Sequence, residues 1–337
     1  MTGPGDRPAV LVTGGAGYVG SFTARALAAR GDAVVVLDDL SKGHPEALPP
    51  GVPLVRARIQ DRERVRGLLR ERAFDCVVHF AAHAYVGESM KDPWKYWENN
   101  LLGTAVLLEE AVAARVPGFV LSSSCAVYGI PSTKRIRETA PRNPVSPYGR
   151  TKTACEEMLE DLGAAGAIRS FRLRYFNAAG AAADGSLGED HDPEPHLVPL
   201  ALRAAATGGT LEVFGADYPT PDGTCVRDYV HVEDLARAHA AAVDRLREGH
   251  PGAALNLGTG RGASVLKVAR EAGAAAGRHV ATRVVERRPG DPPYLVAAPG
   301  KAREILGWRP RHRTLRSVVA SAWEWHRRRP AGFGGAP

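Results

Sequence analysis

Short apolar runs alternate with amphipathic stretches along the first half of the chain. Most of the apolar runs are continuous, which is typical of strands that a parallel sheet buries on both faces. The predicted strands are Ala9–Thr13, Ala33–Leu37, Leu54–Arg56, Cys76–Phe80, Phe119–Ser122 and Ser170–Tyr175. Segments with helical spacing lie between them, among them Ser21–Arg30, Arg62–Arg72 and Glu98–Arg115. This alternation predicts right-handed βαβ units and an α/β fold with a doubly wound parallel sheet.

The pattern changes after residue 176. A segment rich in Gly, Ala, Asp and Pro, Ala178–Pro195, reads as loop, and shorter helices and strands follow it. We therefore expect a first domain over residues 1–176 and a smaller C-terminal α/β domain, binding substrate, over residues 177–337. A strand-like segment at Asp228–Val232, a helix at Glu233–Arg247 and a strand at Ala254–Gly258 follow. We expect residues 228–258 to return to the first domain, with Ala254–Gly258 in the main sheet.

Composition narrows the class of protein. Of 337 residues, 44% are hydrophobic and 24% charged, as in ordinary globular proteins. No stretch reaches the roughly 18 apolar residues of a membrane span, and no apolar signal-peptide core follows Met1, so we expect a cytoplasmic protein without a membrane partner.

Charge and cysteine content exclude two kinds of site. The net charge is +7, but most basic runs are interleaved with acidic residues, so we expect no nucleic-acid partner. The four cysteines, Cys76, Cys125, Cys155 and Cys225, are far apart in sequence and argue against a zinc site and against a disulfide framework. We expect no metal.

A glycine-rich turn connects the first predicted strand to the first predicted helix. Gly14, Gly17 and Gly20 allow a tight turn, close approach of a pyrophosphate and close packing of helix on strand. The helix N-terminus then faces the phosphates with its partial positive charge. Asp38 follows the second predicted strand, and its carboxylate can accept ribose hydroxyls and repel a 2′-phosphate. The unit predicts a Rossmann-like domain that binds NAD rather than NADP.

Three residues form a candidate proton-transfer site. Tyr148 and Lys152 are four residues apart, so they share one face of a predicted helix. A phenol titrates near 10 in water, and a nearby ammonium group lowers that pKa. Ser124, just after a predicted strand, supplies a third hydroxyl to relay or position the proton.

These residues belong to a set of motifs that extends over nearly the whole chain. The motifs are LVTGGAGYVGS, HFAAHAYVGES, ENNLLGT, SSSCAVYG, SPYGRTK, LRYFNAAG, FGADYPTPDGTCVRDYVHV, LNLGTG and RRPGD. On these motifs the chain resembles the extended short-chain dehydrogenase/reductases and, within them, the UDP-glucose 4-epimerases.

The resemblance implies an NAD-dependent isomerase of galactose metabolism that inverts C4 of UDP-hexoses through a 4-keto intermediate. Tyr148, assisted by Ser124 and Lys152, takes the proton from the 4-hydroxyl while hydride passes to NAD. It also implies a homodimer formed through helices near Glu98–Arg115 and Tyr148–Leu162, where Leu107, Ala111, Ala113 and Ala114 fit an interface or the core equally well.

The resemblance, together with the glycine turn, gives two sets of binding residues. The cofactor-binding set is Gly14, Gly17, Tyr18, Val19, Gly20, Asp38, Asp39, Arg58, Ile59, Phe80, Ala81, Ala82, Asn99, Tyr148, Lys152 and Phe176. The substrate-binding set is Ser124, Tyr148, Asn177, His196, Leu197, Phe214, Arg227, Arg288, Asp291 and Leu295.

Several positions depart from the family's pattern. Arg58 precedes Ile59 where many members carry Asp, and Ala84 stands where some carry Lys. His196 replaces Asn, and we expect it to contact substrate rather than act as a base. Leu295 occupies a position whose bulk gates the sugar pocket, where Tyr accompanies plain hexoses and smaller residues admit N-acetyl groups. Leu is intermediate, so UDP-GlcNAc/UDP-GalNAc and modified nucleotide-sugars of secondary metabolism stay open.

Three other functions compete with epimerisation. A nucleotide-sugar 4,6-dehydratase usually has an acid just after the strand-end hydroxyl, but Cys125 follows Ser124. A non-catalytic NAD(H) sensor would dispense with Tyr148 or Lys152, and both are present. A net reductase that releases NADH is weakened by Asp38, although Lys42 lies close to it in sequence.

Overall fold

The computed structural model describes residues 9–288 and 290–334. The strands are β1 (Ala9–Thr13), β2 (Ala33–Asp38), β3 (Leu54–Arg56), β4 (Phe74–His79), β5 (Gly118–Ser124), β6 (Arg169–Tyr175), β7 (Asn177–Ala179), β8 (Thr210–Phe214), β9 (Val226–His231), β10 (Gly252–Leu257), β11 (Gly262–Ser264), β12 (Ala281–Val285) and β13 (Tyr294–Leu295). The helices are α1 (Tyr18–Ala29), α2 (Arg62–Glu71), α3 (Val86–Lys91), α4 (Pro93–Tyr96), α5 (Gly103–Ala113), α6 (Pro147–Ala164), α7 (Leu197–Thr207), α8 (Val232–Arg247), α9 (Val265–Ala276), α10 (Gly300–Leu306) and α11 (Leu315–Arg328).

Seven parallel strands form the main sheet in the order β10-β6-β5-β4-β1-β2-β3. The apolar cores on its two faces explain why most of its strands are continuous apolar runs: α1 and α8 cover one face, and α2, α5 and α6 cover the other. The strand order reverses between β1 and β4, and crevices that bind ligands form at such switch points, outside the carboxyl ends of the strands. The predicted Rossmann-like, doubly wound α/β fold is confirmed.

The helix predicted over Glu98–Arg115 is part of a longer helical run. It begins at Pro93 with α4, continues as a π-helical segment over Trp97–Leu102, and ends with α5. Leu107 and Ala111 are fully buried in the sheet core, whereas Ala113 is exposed.

A smaller unit follows the main sheet. Its helices α7, α9 and α11 share an apolar core, and its strands form the sheets β11-β9-β13, with β7 also paired to β9, and β12-β8. Strand β10 pairs with β6 in the main sheet and α8 packs against that sheet, whereas β9 pairs with β7, β11 and β13. Residue order therefore does not divide the units cleanly, because Ala302 of α10 and Trp308 also pack into the main core.

Two observations bear on the excluded classes. No helix in residues 9–288 and 290–334 is long and apolar enough to cross a membrane. The four cysteines are all free and buried.

Candidate active site

The glycine turn forms a cradle at the carboxyl end of β1. Gly14 has a φ of +69°, and a Cβ there would lie 2.7 Å from the carbonyl carbon of Phe80. A Cβ on Gly20 would overlap the Gly14 carbonyl. Side chains are therefore excluded at Gly14 and Gly20, on either side of the start of α1 at Tyr18. The first turn of that helix is left open to an anion.

Asp38 lies beside this cradle and is almost fully buried. Its Oδ2 accepts a hydrogen bond from the Ala16 amide and its Oδ1 one from the Leu40 amide, both at 2.9 Å. Burial raises the pKa of Asp38 despite these bonds. Asp39 accepts from the backbone and hydroxyl of Ser41, and the Lys42 ammonium donates to the Asp192 carbonyl, away from Asp38.

The remaining predicted cofactor residues lie after β4 and on helical segments, in different environments. Ala81 donates its amide to the Thr13 carbonyl, and Phe80 packs against His239 with ring centroids 4.6 Å apart. Asn99 accepts from Gln60. Ala82 is half-buried, as is Val19, which packs against the main core.

The pair that departs from the family's pattern is divided between surface and core. The Ile59 side chain is buried in the core beside Gly103, so only its backbone is free to face a cofactor. Arg58 is more than half exposed and lies 3.5 Å from Glu98.

Tyr148, Lys152 and Ser124 meet where β5 ends and α6 begins. Ser146 caps α6 by accepting the Gly149 amide, which places Tyr148 and Lys152 in the buried first turns of the helix. The Lys152 ammonium donates to the Ser122 carbonyl at 2.8 Å. Ser124 is buried at the end of the same strand.

The electrostatics of Tyr148 differ from the sequence-based expectation. Burial raises the pKa of Tyr148 well above its ordinary value, with Tyr175 adding to the rise and Ser124 opposing it. Burial also lowers the pKa of Lys152 to about 8. The Lys152 ammonium donates to a carbonyl on β5 and not to Tyr148. In the protein alone, the effect of burial on the pKa of Tyr148 therefore exceeds any lowering by Lys152.

Two buried polar groups that sequence reasoning missed brace this centre. Asn100 donates to the His83 carbonyl at 2.9 Å and accepts the His83 amide at 2.8 Å, which fixes the segment after β4. Glu156 of α6 pairs with Arg174 of β6 and accepts from Ser123 at 2.6 Å. Both lie on predicted elements, but their partners are remote in sequence.

The predicted substrate residues of the second unit come together in two pairs. Arg227 of β9 forms an ion pair with Asp291, and the Arg288 guanidinium lies 3.9 Å from the centre of the Phe214 ring. Leu295 stands opposite Arg227 in the register of β13 on β9.

Leu295 also connects this unit to the catalytic strand. It packs against a cluster that includes Cys125 and Phe176, so it reaches the end of β5. Asn177, which begins β7, is half-buried directly after Phe176.

His196 is held by acidic neighbours just before α7 begins at Leu197. Its Nδ1 lies 2.6 Å from Glu189 Oε1 and 3.0 Å from Glu194 Oε1, and His191 approaches the same carboxylates. The spacing Glu-x-His-x-x-Glu-x-His is visible in the sequence, but the spacing alone does not show that the four side chains converge.

The geometry fits a dinucleotide. The tight turn in which side chains at Gly14 and Gly20 would collide with backbone, the open start of α1 and the buried carboxylate of Asp38 are the three features that such a cofactor needs. Each Asp38 oxygen accepts one backbone hydrogen bond and keeps a lone pair for a ribose hydroxyl. Tyr18, which directly follows Gly17 and begins α1, donates its hydroxyl to the Gly180 carbonyl and so links the glycine turn to the second unit.

Known proteins share this sequence and fold. The profile of the NAD dependent epimerase/dehydratase family matches residues 10–258. The UDP-glucose 4-epimerase of Rhizobium meliloti is 48% identical over 324 residues, which cover 96% of this chain and 98% of that protein. The crystal structure of the Brucella ovis UDP-glucose 4-epimerase in complex with NAD is 48% identical, with a TM-score of 0.90 and coverage of 94% of this chain and 98% of that one.

A third similar structure is the UDP-Glc/GlcNAc 4-epimerase of Campylobacter jejuni, at 37% identity, with a TM-score of 0.83 and coverage of 95% and 99% of the two chains. Extensive identity over nearly the whole length therefore accompanies the same architecture. The chain belongs to the NAD dependent epimerase/dehydratase family, in the group of the UDP-glucose 4-epimerases.

Proposed function

We propose that the protein interconverts UDP-glucose and UDP-galactose by inverting C4 of the sugar through a 4-keto intermediate. The observation that carries the proposal is the meeting of Tyr148, Lys152 and Ser124 at the carboxyl end of β5, on the same edge of the parallel sheet as the glycine turn after β1. When bound, NAD supplies the acceptor and donor of hydride and, in its oxidised form, a positive charge that favours a nearby phenolate.

Tyr148 is the group that takes and returns the proton of the 4-hydroxyl. Its buried phenol is neutral in the protein alone, so it begins as a poor base and needs the added positive charge of the complete site. Ser124, whose hydroxyl accepts the Ala126 amide, is fixed in place to position the sugar hydroxyl. Lys152 is anchored to Ser122 and is suited to hold a cofactor hydroxyl.

The second unit supplies the groups for the nucleotide-sugar. Arg227 and Arg288 are the charges that a diphosphate requires, and arginine forms forked contacts to phosphate oxygens. Arg227 is paired with Asp291, and only 11% of its side chain is exposed. This burial distinguishes it from the chain's many surface arginines. Asn177 and Phe214 complete the proposed substrate surface, together with Leu197, the first residue of α7.

The breadth of the sugar pocket depends on Leu295. Its side chain is smaller than that of Tyr, so the proposal extends to UDP-GlcNAc and UDP-GalNAc, and the name of the Campylobacter relative covers both kinds of sugar. An epimerase of a modified nucleotide-sugar is the alternative. A 4,6-dehydratase is less favoured, because the residues after Ser124 are Cys125 and Ala126, which form a 3-10 turn without an acid.

Product analysis of four parallel reactions tests the function. The protein, with no added NAD, is incubated with UDP-glucose, UDP-galactose, UDP-GlcNAc or UDP-GalNAc, and the sugars are separated by chromatography. We expect the plain pair to approach the same mixture from both sides. Lack of conversion of every pair, even with NAD added, contradicts the proposal, and loss of water from the sugar supports the dehydratase instead.

We also propose a homodimer. The α3–α4 region and the π-helical segment, next to α5 and α6, expose four apolar side chains on one part of the chain: Val86, Met90, Trp94 and Leu102. Trp94 is 66% exposed, an unusual cost for so large an apolar side chain in a monomer. Leu102 lies within Glu98–Arg115, one of the helices that the resemblance assigns to the dimer, and the other three lie on α3 and α4, directly before it.

A further inference from the structure

Four side chains of one loop converge near the rim of the cleft. They are Glu189, His191, Glu194 and His196, which we call the His–Glu cluster, in the segment between β7 and α7. Each can offer one ligand atom, and these atoms all lie within 4.8 Å of one another. Among the described residues, the catalytic centre at Tyr148 uses none of them.

The distances within the cluster match those between the ligands of one ion. In a tetrahedral zinc site with nitrogen and oxygen ligands at about 2.0–2.2 Å, neighbouring ligand atoms are roughly 3.3–3.6 Å apart. His191 Nδ1 lies 3.2 Å from Glu189 Oε1 and 3.7 Å from Glu194 Oε2. His196 Nδ1 lies 2.6 Å from the same Glu189 oxygen and 3.0 Å from the other Glu194 oxygen, Oε1. A four-ligand cage forms if the shortest of these separations lengthens by roughly 0.7 Å and the others change by less.

A second observation concerns the His191 ring. Its Nδ1 is buried and, within the part of the chain that the structure describes, makes no hydrogen bond, although two carboxylates lie close to it. A buried ring nitrogen without a partner is costly. Its approach to both carboxylates without hydrogen-bond geometry is the arrangement expected of a ligand aimed at a point between them.

Charge favours the same occupant. Glu189 and Glu194 have side chains that are at most 5% exposed, and together they carry two negative charges. A divalent cation bound by two neutral imidazoles balances both charges.

We propose that the His–Glu cluster binds one divalent transition-metal ion, with Zn²⁺ the best fit to two imidazole nitrogens and two carboxylate oxygens. Because four protein ligands fill a tetrahedral shell, no position is left for substrate, which is typical of a structural rather than a catalytic site. This inference is independent of the proposed function and reverses the expectation, drawn from the cysteines, that the chain binds no metal.

The ion fixes a loop that both halves of the cleft share. The Tyr85 ring meets His191 and His196 edge to face, at 5.8 and 5.9 Å between centroids, and the Tyr18 ring meets His191 at 6.2 Å. Leu197, the residue directly after the last ligand, begins α7. The metal therefore holds the start of α7 against the cofactor side of the cleft.

Metal content and affinity test the site. Untagged full-length protein, prepared without chelators and dialysed, is analysed by mass spectrometry of its metals, then stripped and titrated with ZnCl₂ against a chromogenic chelator. We expect one equivalent of tightly bound Zn²⁺. His191→Gln and Glu194→Gln should each weaken it by more than about 100-fold, since even changes to groups behind a ligand cost 10–100-fold.

Two histidine variants serve as controls. His279→Gln changes an exposed histidine of the second unit, and His312→Gln changes the group of His231, Glu233 and His312, the other place where metal-binding side chains meet in the described residues. Both should retain wild-type zinc affinity. Far-UV circular dichroism and the NAD content of each variant show whether it has folded.

Cobalt provides a readout of geometry. Co²⁺ added to the stripped wild-type protein should give the intense visible absorption of a tetrahedral site, and Glu194→Gln should lose it. The proposal is overturned if stripped wild-type protein binds no Zn²⁺, if folded His191→Gln and Glu194→Gln both bind it as tightly as wild type, or if His312→Gln is the variant that loses it.

Discussion

At the scale of single residues, Asp38 links the glycine turn to the segment that follows β2. Its carboxylate accepts the amides of Ala16, inside the glycine turn, and Leu40, after β2. The same oxygens face the place where a ribose is expected. An acceptor on both sides is therefore needed before any cofactor binds.

Asp38→Asn should lower both cofactor content and stability. The amide group replaces one acceptor with a donor, so one buried backbone N–H loses its partner, at a cost of about 1–3 kcal/mol. The measurements are the NAD content of the purified protein and its thermal unfolding.

Asp222→Asn is the matched control, because Asp222 also accepts a backbone amide, that of Thr224, but in an exposed turn far along the chain. We expect it to keep its NAD and nearly all its stability. If Asp38→Asn retains NAD as fully as Asp222→Asn does, Asp38 has no role in holding the cofactor.

Local motifs explain which residues could be predicted. Gly14, Asp38 and Tyr148 are recognisable because a turn, a strand end or one helix face carries the whole signal. The electrostatics of Tyr148 could not be predicted, because burial comes from elements that are remote in sequence. The His–Glu cluster was missed for another reason: its spacing is local, but only the fold shows that the four side chains converge.

At the scale of elements, α6 is attached to the sheet by charge as well as by apolar packing. Glu156 has no exposed surface, and Arg174 on β6 donates to it through Nε at 2.8 Å. Arg174 also donates to the Tyr128 hydroxyl in the 3-10 turn after β5. This network fixes the helix that carries Tyr148 relative to the strand that carries Ser124.

Glu156→Gln should destabilise the protein by about 3–5 kcal/mol, because it leaves a buried guanidinium without a counter-charge. Urea unfolding measures the change. Glu157→Gln, one residue later on the exposed face of α6, has a side chain that is 55% exposed and should change stability by less than about 1 kcal/mol. Equal effects of the two substitutions would show that the buried pair adds nothing to the attachment of α6.

Elements buried on both faces were the ones that the sequence predicted well. The apolar run at Ala9–Thr13 matches β1 to the residue, and the run at Ala33–Leu37 matches β2 to within one residue. The apolar pattern of β9 shows burial but not the partner strand, so its pairing with β7, β11 and β13 was not predicted. The π-helical segment over Trp97–Leu102 has the same apolar spacing as an α-helix and so could not be distinguished from one.

At the scale of the whole molecule, the exposed Trp94 bears directly on assembly. If the surface formed by α3, α4 and the π-helical segment is the dimer interface, a charge introduced there by substitution is buried without a partner when the dimer forms. We expect Trp94→Arg to convert a dimer into a monomer, as measured by sedimentation equilibrium.

Val284→Arg is the control, since Val284 is 60% exposed on β12 of the second unit, away from those helices. It should remain dimeric. A monomeric wild-type protein, or a Trp94→Arg variant that stays dimeric, contradicts the proposed interface.

The division into units is a further property of the whole molecule, and the sequence pattern indicates only part of it. The change in composition after residue 176 coincides with the start of β7 at Asn177. The packing of α8, β10 and α10 onto the main sheet depends on contacts between distant segments. The sequence pattern indicated a return for residues 228–258, which include α8 and β10, but not for α10.

Tyr148 is the group that we propose moves the proton of the 4-hydroxyl, and a comparison of Tyr148→Phe with wild type tests this role. The rate of UDP-galactose conversion and the NAD content are measured for both, with Tyr218→Phe as a control that removes a buried hydroxyl lacking a hydrogen-bond partner in the described residues. We predict that Tyr148→Phe keeps its NAD but that its turnover falls by about 10²–10⁴-fold, because that is the usual contribution of a general acid–base group. The turnover of Tyr218→Phe should stay near that of wild type. Turnover of Tyr148→Phe within a few-fold of wild type would contradict the account.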